Sequence, residues 1–300
     1  MAIKKLNAEL VPKIRKLEVF ARQSALSQFV EGNWTTTIKG QGIEFSGYRS
    51  YTYGDDASMI DWKASLRSKS LLVKQYEQEK SVNVYFLLDV SNSMLFTSTK
   101  KLKVEHGAEL VSSLAYAILK SGDGVGMSMF TDKLVTRLQV NTGRKMHRMV
   151  VNDLSNLNNY GGKFSFESTA RIVMSILKTN AILIIISDFI GLGATWQKSL
   201  RMLNTKFQVI GIMLRDPRDR ELPSEAGQYF LEDPFTGEKL YIDTATYASA
   251  YKKYVEKEEL EIAKHFKAAN ADFMKIVTDK DYSIELIKFF KRRSLTHGSR

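Results

Sequence analysis

From residue 81 to residue 214, short apolar runs alternate with amphipathic stretches, and this rhythm constrains the fold more than any other property of the chain. Residues 84–88, 125–130, 181–186 and 207–213 are almost continuously apolar, the pattern of strands covered on both faces. Residues 134–140 read as a further, more polar strand. Between these runs, 101–119, 144–157, 166–178 and 195–203 carry apolar residues at three- and four-residue spacing and read as helices. Strands that alternate with helices build a mostly parallel sheet with helices on both faces, so the expected fold class is α/β.

The flanks have a different character. In residues 1–80, Leu6, Leu10, Ile14, Leu17 and Ala21 recur at helical spacing, with Pro12 in the first turn. From Asn33 onward Thr, Gly and aromatic residues (Trp34, Gly40, Gly42, Phe45, Gly47, Tyr48) suggest short strands and turns, and 71–76 reads as a strand. Beyond residue 214, segments 228–231 and 239–242 flank Asp233-Pro234-Phe235-Thr236-Gly237, a hairpin signature. A charged helix over 247–269, a strand over 272–277 and a helix over 283–292 follow. The expected division is a small N-terminal α+β addition (1–80) and a main domain (81–300) with a hairpin and helix inserted at about 216–270.

Composition excludes several kinds of chemistry. The chain has no cysteine, so disulfides, thiolate metal sites and a cysteine nucleophile are ruled out. Its longest strongly apolar stretch, 181–186, is too short to span a bilayer, and Met1-Ala2-Ile3-Lys4-Lys5 leads into no hydrophobic signal region. These features favour a soluble, cytoplasmic protein. Lys and Arg outnumber Asp and Glu by 44 to 33, a formal charge of +11 that raises nucleic acid or an acidic surface as partner. The charge is dispersed, however, and no zinc-finger spacing or aromatic RNA-binding signature accompanies it. Solvated basic faces or an acidic protein partner fit better than dedicated nucleic-acid binding. His106, His147, His265 and His297 are isolated, with no H-x-x-x-H spacing, and no phosphate-binding P-loop occurs.

The chemistry-bearing feature is Asp89-Val90-Ser91-Asn92-Ser93, directly after the apolar run 84–88. In open α/β sheets ligands bind beyond the carboxyl ends of the strands. One carboxylate and two hydroxyls on a single short loop make a compact set of hard oxygen ligands, suited to Mg²⁺ or Ca²⁺. The competing structural reading is a turn that caps a following helix, since Asp and Ser favour such positions.

This Asp-x-Ser-x-Ser spacing resembles the metal-ion-dependent adhesion site of von Willebrand factor A-type domains. Gly42-Ile43-Glu44-Phe45-Ser46-Gly47-Tyr48-Arg49, followed by Tyr51, Gly54-Asp55-Asp56, Ile60-Asp61-Trp62 and Arg67, resembles the signature of the domain of unknown function 58 family. So do Ser187-Asp188-Phe189, Asp216-Pro217-Arg218 and Asp233-Pro234-x-Thr236-Gly237 further on, and together the likeness covers about residues 8–292.

The resemblance implies a von Willebrand factor A-like domain and association with MoxR-type AAA+ ATPases in chaperone-like maturation of protein complexes. It also implies that Ser91 and Ser93 bind a cation such as Mg²⁺ directly. Asp89 would bind directly or through water, and Asp188 would supply the second carboxylate. The adhesion pattern supplies a Thr after a Gly-Gly pair. Here Gly161-Gly162 is followed by Lys163, whose ammonium repels a cation. Two arrangements follow: Lys163 reaches Asp89 or Asp188 and partly replaces the metal, or it points away and Ser165 supplies the oxygen. Asn92, between the two serines, faces a partner or modifies the site.

The expected function is a non-enzymatic adaptor, and the alternative is a Mg²⁺-dependent phosphate-ester hydrolase using the same carboxylates. No general base or phosphate cradle accompanies them, which argues against the hydrolase. Arg49, Asp55, Asp56, Asp61 and Arg67 read as internal ion pairs and capped turns packed around Trp62.

Overall fold

A computed structural model describes residues 43–68, 70–78, 82–177, 181–223, 225, 227–281 and 283–297. The helical reading of residues 6–21 and the turns and strands read over 33–42 lie outside these. In chain order the elements are β1 (Ile43–Ser50), α1 (Trp62–Ser68), β2 (Leu72–Gln78), β3 (Asn83–Asp89), α2 (Lys103–Lys120), β4 (Gly124–Phe130), β5 (Leu138–Asn141), α3 (Gly143–Ser155) and α4 (Phe166–Ile176). They continue with β6 (Ile182–Ser187), α5 (Trp196–Asn204), β7 (Gln208–Arg215), α6 (Pro217–Arg220), β8 (Gln228–Glu232), β9 (Lys239–Asp243), α7 (Thr244–Ala268), β10 (Asp272–Val277) and α8 (Ser283–His297).

The main sheet has the order β10-β7-β6-β3-β4-β5. Every neighbouring pair is parallel except β4–β5. This is the α/β class expected from the alternation. After β3 the chain builds outward through β4 and β5, then returns to place β6 on the other side of β3. The direction of winding therefore reverses between β3 and β6, which is the switch point where such sheets bind ligands. Leu88 pairs with Ile186 across these strands, so Asp89 and Ser187 leave the sheet side by side.

Side chains alternate between two cores. Val84, Phe86 and Leu88 face α2, α3 and α8, while Tyr85 and Leu87 face α4, α5 and α7. A Cβ on Gly107 would come within 2.7 Å of the buried Leu88 side chain, so glycine at this position lets α2 lie unusually close to the sheet. That closeness brings the first turn of α2 up to the strand ends.

Two readings change in detail. The strand expected over 134–140 forms only at Leu138–Asn141, and Leu134 makes an isolated bridge to Phe130. In the N-terminal addition, β1 and β2 pair antiparallel with α1 beside them, and that helix was not foreseen. Arg49 pairs with Asp55, while Asp56 and Asp61 cap the turns at Ser58 and Ala64, as expected. Trp62, however, is 61% exposed, so these charges do not pack around a buried indole. Two strands and a seven-residue helix have too little apolar surface to enclose one.

His106, on α2, gives the fold a pH dependence. Burial, with Lys101 adding repulsion, holds its pKa down at about 4. Below the ordinary histidine pKa the unfolded chain takes up a proton that the native imidazole refuses, so this contribution to stability falls as pH falls. Between about pH 7 and pH 5 the loss amounts to about 2 kcal/mol. His106→Gln should show a correspondingly shallower decline than wild type in urea denaturation at the two pH values. Parallel declines would refute the assignment.

Candidate functional site

Asp89 and Asp188 emerge at the ends of the adjacent strands β3 and β6, and both are fully buried together with Ser91 and Ser93. Asp89 accepts the Ser91 amide at 2.9 Å through one oxygen and the Ser187 hydroxyl at 2.6 Å through the other. These bonds fix its rotamer. Ser91 Oγ and Ser93 Oγ lie 3.3 Å apart, and Ser93 Oγ donates to Asp188 Oδ1 at 3.1 Å. Asp188 Oδ1 also accepts the Ile190 amide. The capping alternative accounts for only part of this loop: Ser91 begins the short turn Asn92–Leu95, yet its side chain makes no capping hydrogen bond.

The loop is positioned by a glycine pair. Gly161 and Gly162 have φ of +94° and +136°, in the left-handed region that favours glycine. Gly161 donates to the Val90 carbonyl, and Gly162 N donates to Asn92 Oδ1 at 2.8 Å. Phe189, immediately after Asp188, has φ of +53° although it is bulky and buried. Its ring is clamped against Phe166, Phe266 and Phe273. Backbone strain held in place by surrounding packing is characteristic of functional sites.

The cation beside Asp188 is Lys103, not Lys163. Lys163 is exposed and forms no ion pair among the described residues, so the arrangement in which it reaches the carboxylates is corrected. Its loop leads outward into α4, where Ser165 is the N-cap and accepts the Ser168 amide. The Ser165 oxygen is thus engaged in capping. Lys103 stands in the first turn of α2, 1% exposed, with Nζ 2.8 Å from Asp188 Oδ2 and 2.7 Å from Asp219 Oδ2. Burial pulls its pKa down, but the two carboxylates push it up by more, and the group stands above the ordinary lysine value. A cation at a helix N-terminus opposes the helix dipole, so Asp188 and Asp219 offset both that and the burial.

The Asp216-Pro217-Arg218 motif supports this arrangement. Asp216 accepts the Ser98 amide and hydroxyl and the Arg218 amide, which ties the segment ahead of α2 to the end of β7. Asp219 in turn accepts the Asp216 amide.

The electrostatics leave a deficit of positive charge. Lys103 pairs with Asp188 and Asp219, while Asp89 has no ion pair among the described residues. Burial, then the neighbouring Asp188, pushes Asp89 up to about 7. Geometry suits a small divalent ion. Two Mg–O bonds of about 2.1 Å at a right angle place their oxygens about 3.0 Å apart; the 3.1 Å and 3.3 Å hydrogen-bond separations that join Asp188, Ser93 and Ser91 are compatible with that spacing. With Oδ2 held by Lys103, Asp188 Oδ1 remains turned toward the serines. The residues present therefore fit a hard divalent cation. No cluster of three or more His, Cys, Asp or Glu that could hold a metal occurs among the described residues, so hydroxyls must complete any ligand set here. His147 contacts Ser112 and Tyr116, and His265 packs against Trp196. Neither joins the site as a base.

A family model described as "Protein of unknown function DUF58" matches residues 47–261. "Uncharacterized protein Rv1480" of Mycobacterium tuberculosis is 23% identical over 291 residues, covering 96% of this chain and 90% of that protein. Among solved structures, the conserved hypothetical protein BatB from Bacteroides thetaiotaomicron matches with a TM-score of 0.49 and 16% identity, covering 72% of this chain and all of that one. A von Willebrand factor type A structure from Catenulispora acidiphila matches with a TM-score of 0.39 and 11% identity, covering 76% of this chain and 45% of that one.

Proposed function

The chain belongs to the DUF58 family, and we propose that it is a non-enzymatic protein-binding module that engages its partner through a divalent cation, Mg²⁺ by ligand type, at the carboxyl ends of β3 and β6. Ser91, Ser93 and Asp188 hold the cation, and Asp89 approaches it directly or through water. The cation supplies a charge that a partner's carboxylate can complete. The observation that carries the reading is the convergence of Ser91, Ser93 and Asp188 at separations that match adjacent ligands of one small ion.

Lys103 has a separate part. It neutralises the outer oxygen of Asp188 and ties that residue to Asp219, so the carboxylate is oriented before any cation arrives. The partner class follows from the family resemblance: a MoxR-type AAA+ ATPase, with the pair acting in the cytoplasm on the assembly of another complex. No helix among the described residues is long and apolar enough to cross a membrane.

The test is capture of purified MoxR-type ATPase by the immobilised chain, with Mg²⁺ and with chelator. Retention should depend on the cation and fall at least about tenfold in Ser93→Ala, the loss of one charge-assisted contact. Retention unchanged by chelator and by the substitution would overturn the reading. Sustained, cation-dependent turnover of a generic phosphate monoester would favour the hydrolase instead.

A further inference from the structure

The hairpin inserted between β7 and α7 reaches back to the candidate site. Asn92, which lies between the two serines, donates from Nδ2 to the Pro234 carbonyl at 3.0 Å, across 142 residues of sequence. On the other side of the tip, the Phe235 ring lies against Gly191, three residues after Asp188. A Cβ on Gly191 would come within 3.0 Å of that ring. The tip therefore touches both loops that carry the site. It is a preformed piece: the Asp233 carboxylate accepts the Phe235 and Thr236 amides, and Gly237 N closes the turn on the Asp233 carbonyl.

An adhesion-type site needs one coordination position open to the partner, yet Asp89, Ser91, Ser93 and Asp188 are at most 1% exposed. The hairpin itself is lightly anchored. Strands β8 and β9 pair only with each other, and Phe230, Leu240 and Tyr241 stand in solvent. At its base Ile242 is buried, and Thr244 Oγ1 binds the backbone at Glu225 and Gly227. A segment with a fixed base, a rigid tip and little apolar burial between them opens at low local cost.

We propose that the β8–β9 tip is a lid latched over the Asp89–Ser93 loop by the Asn92–Pro234 hydrogen bond and the seat of Phe235 on Gly191. A partner's carboxylate reaches the site only once the tip lifts. The purpose of the lid rests on the cation-site reading; its existence does not. The closed lid keeps the site from acidic groups that are not part of the proper partner, and a partner that displaces the tip gains both the exposed loop and the released hairpin.

The chain has no cysteine, so Ser91→Cys introduces a lone thiol whose reaction with an aromatic disulfide reagent reports access to the loop. Adding Phe235→Ala should speed that reaction by about tenfold or more, since the ring's apolar contact holds the closed state, with no change in the global unfolding midpoint. Should Ser91→Cys fail to fold, amide hydrogen exchange of residues 91–95 and 190–192 in Phe235→Ala against wild type reads the same opening. Equal rates in the two backgrounds, by either method, overturn the lid. Neither readout involves a cation, so a chain that binds none would refute the site reading alone.

Discussion

Replacing Lys103 by Met should destabilise the cation-free protein by about 3–5 kcal/mol, the cost of leaving a buried charge without its partner. The side chain is 1% exposed, and its ammonium joins the fully buried Asp188 to the largely shielded Asp219. Methionine matches the length of the stem but leaves the buried Asp188 and the largely shielded Asp219 without their shared cation. Mg²⁺ should restore more stability to this variant than it adds to wild type, because the cation takes over the neutralisation of Asp188. Thermal melts in chelator and in Mg²⁺ provide the check. A variant as stable as wild type in chelator would show that the ion triad contributes little to the fold.

Asp89→Asn should act in the opposite direction. The native carboxyl has its pKa pushed up to about 7 by burial and by Asp188. Below the unfolded value near 4 both states are protonated and nothing is lost. As pH rises from there to the folded value, the native state keeps a proton that the unfolded chain has released, so this group's contribution to stability falls steadily. Above neutrality the full penalty applies, on the order of 4 kcal/mol. Asparagine keeps the shape and can still meet Ser91 N and Ser187 Oγ, but carries no charge to bury. In chelator above neutral pH the variant should therefore be more stable than wild type by that order, and insensitive to Mg²⁺. Wild type should gain stability with Mg²⁺ as ligand binding to the native state requires. A substitution that removes the site while stabilising the empty protein is the mark of a functional, not structural, carboxylate.

Much of this was legible in the sequence because the signals were local. The apolar runs at 84–88 and 181–186 are strands, and a parallel pair in adjacent positions brings Asp89 and the Ser187-Asp188 pair to the same end of the sheet. The hairpin was equally visible from its turn residues. Its position over the site was not, because the Asn92–Pro234 contact joins positions 142 residues apart and no periodicity encodes it.

Lys103 is a different case. With Gly107, Leu110, Leu114 and Ile118 it follows the buried stripe of α2, so its place on the apolar face could have been read from the spacing. A lysine there needs a carboxylate partner. The place of Lys163 after the glycine pair suggests an ammonium at the site, but the left-handed turn at Gly162 is followed by an exposed side chain. Trp62 shows the same dependence on surroundings. An aromatic residue among charges signals burial only where enough surrounding structure exists to cover it.

Calorimetric titration of the purified chain with Mg²⁺ and with Mn²⁺ above neutral pH, wild type beside Ser91→Ala/Ser93→Ala, asks whether the two serines hold a cation. Saturable one-to-one binding in the sub-millimolar range is expected for wild type, and none for the double variant. Wild type without saturable binding, or a double variant that binds as tightly, would rule out a cation site on Ser91 and Ser93.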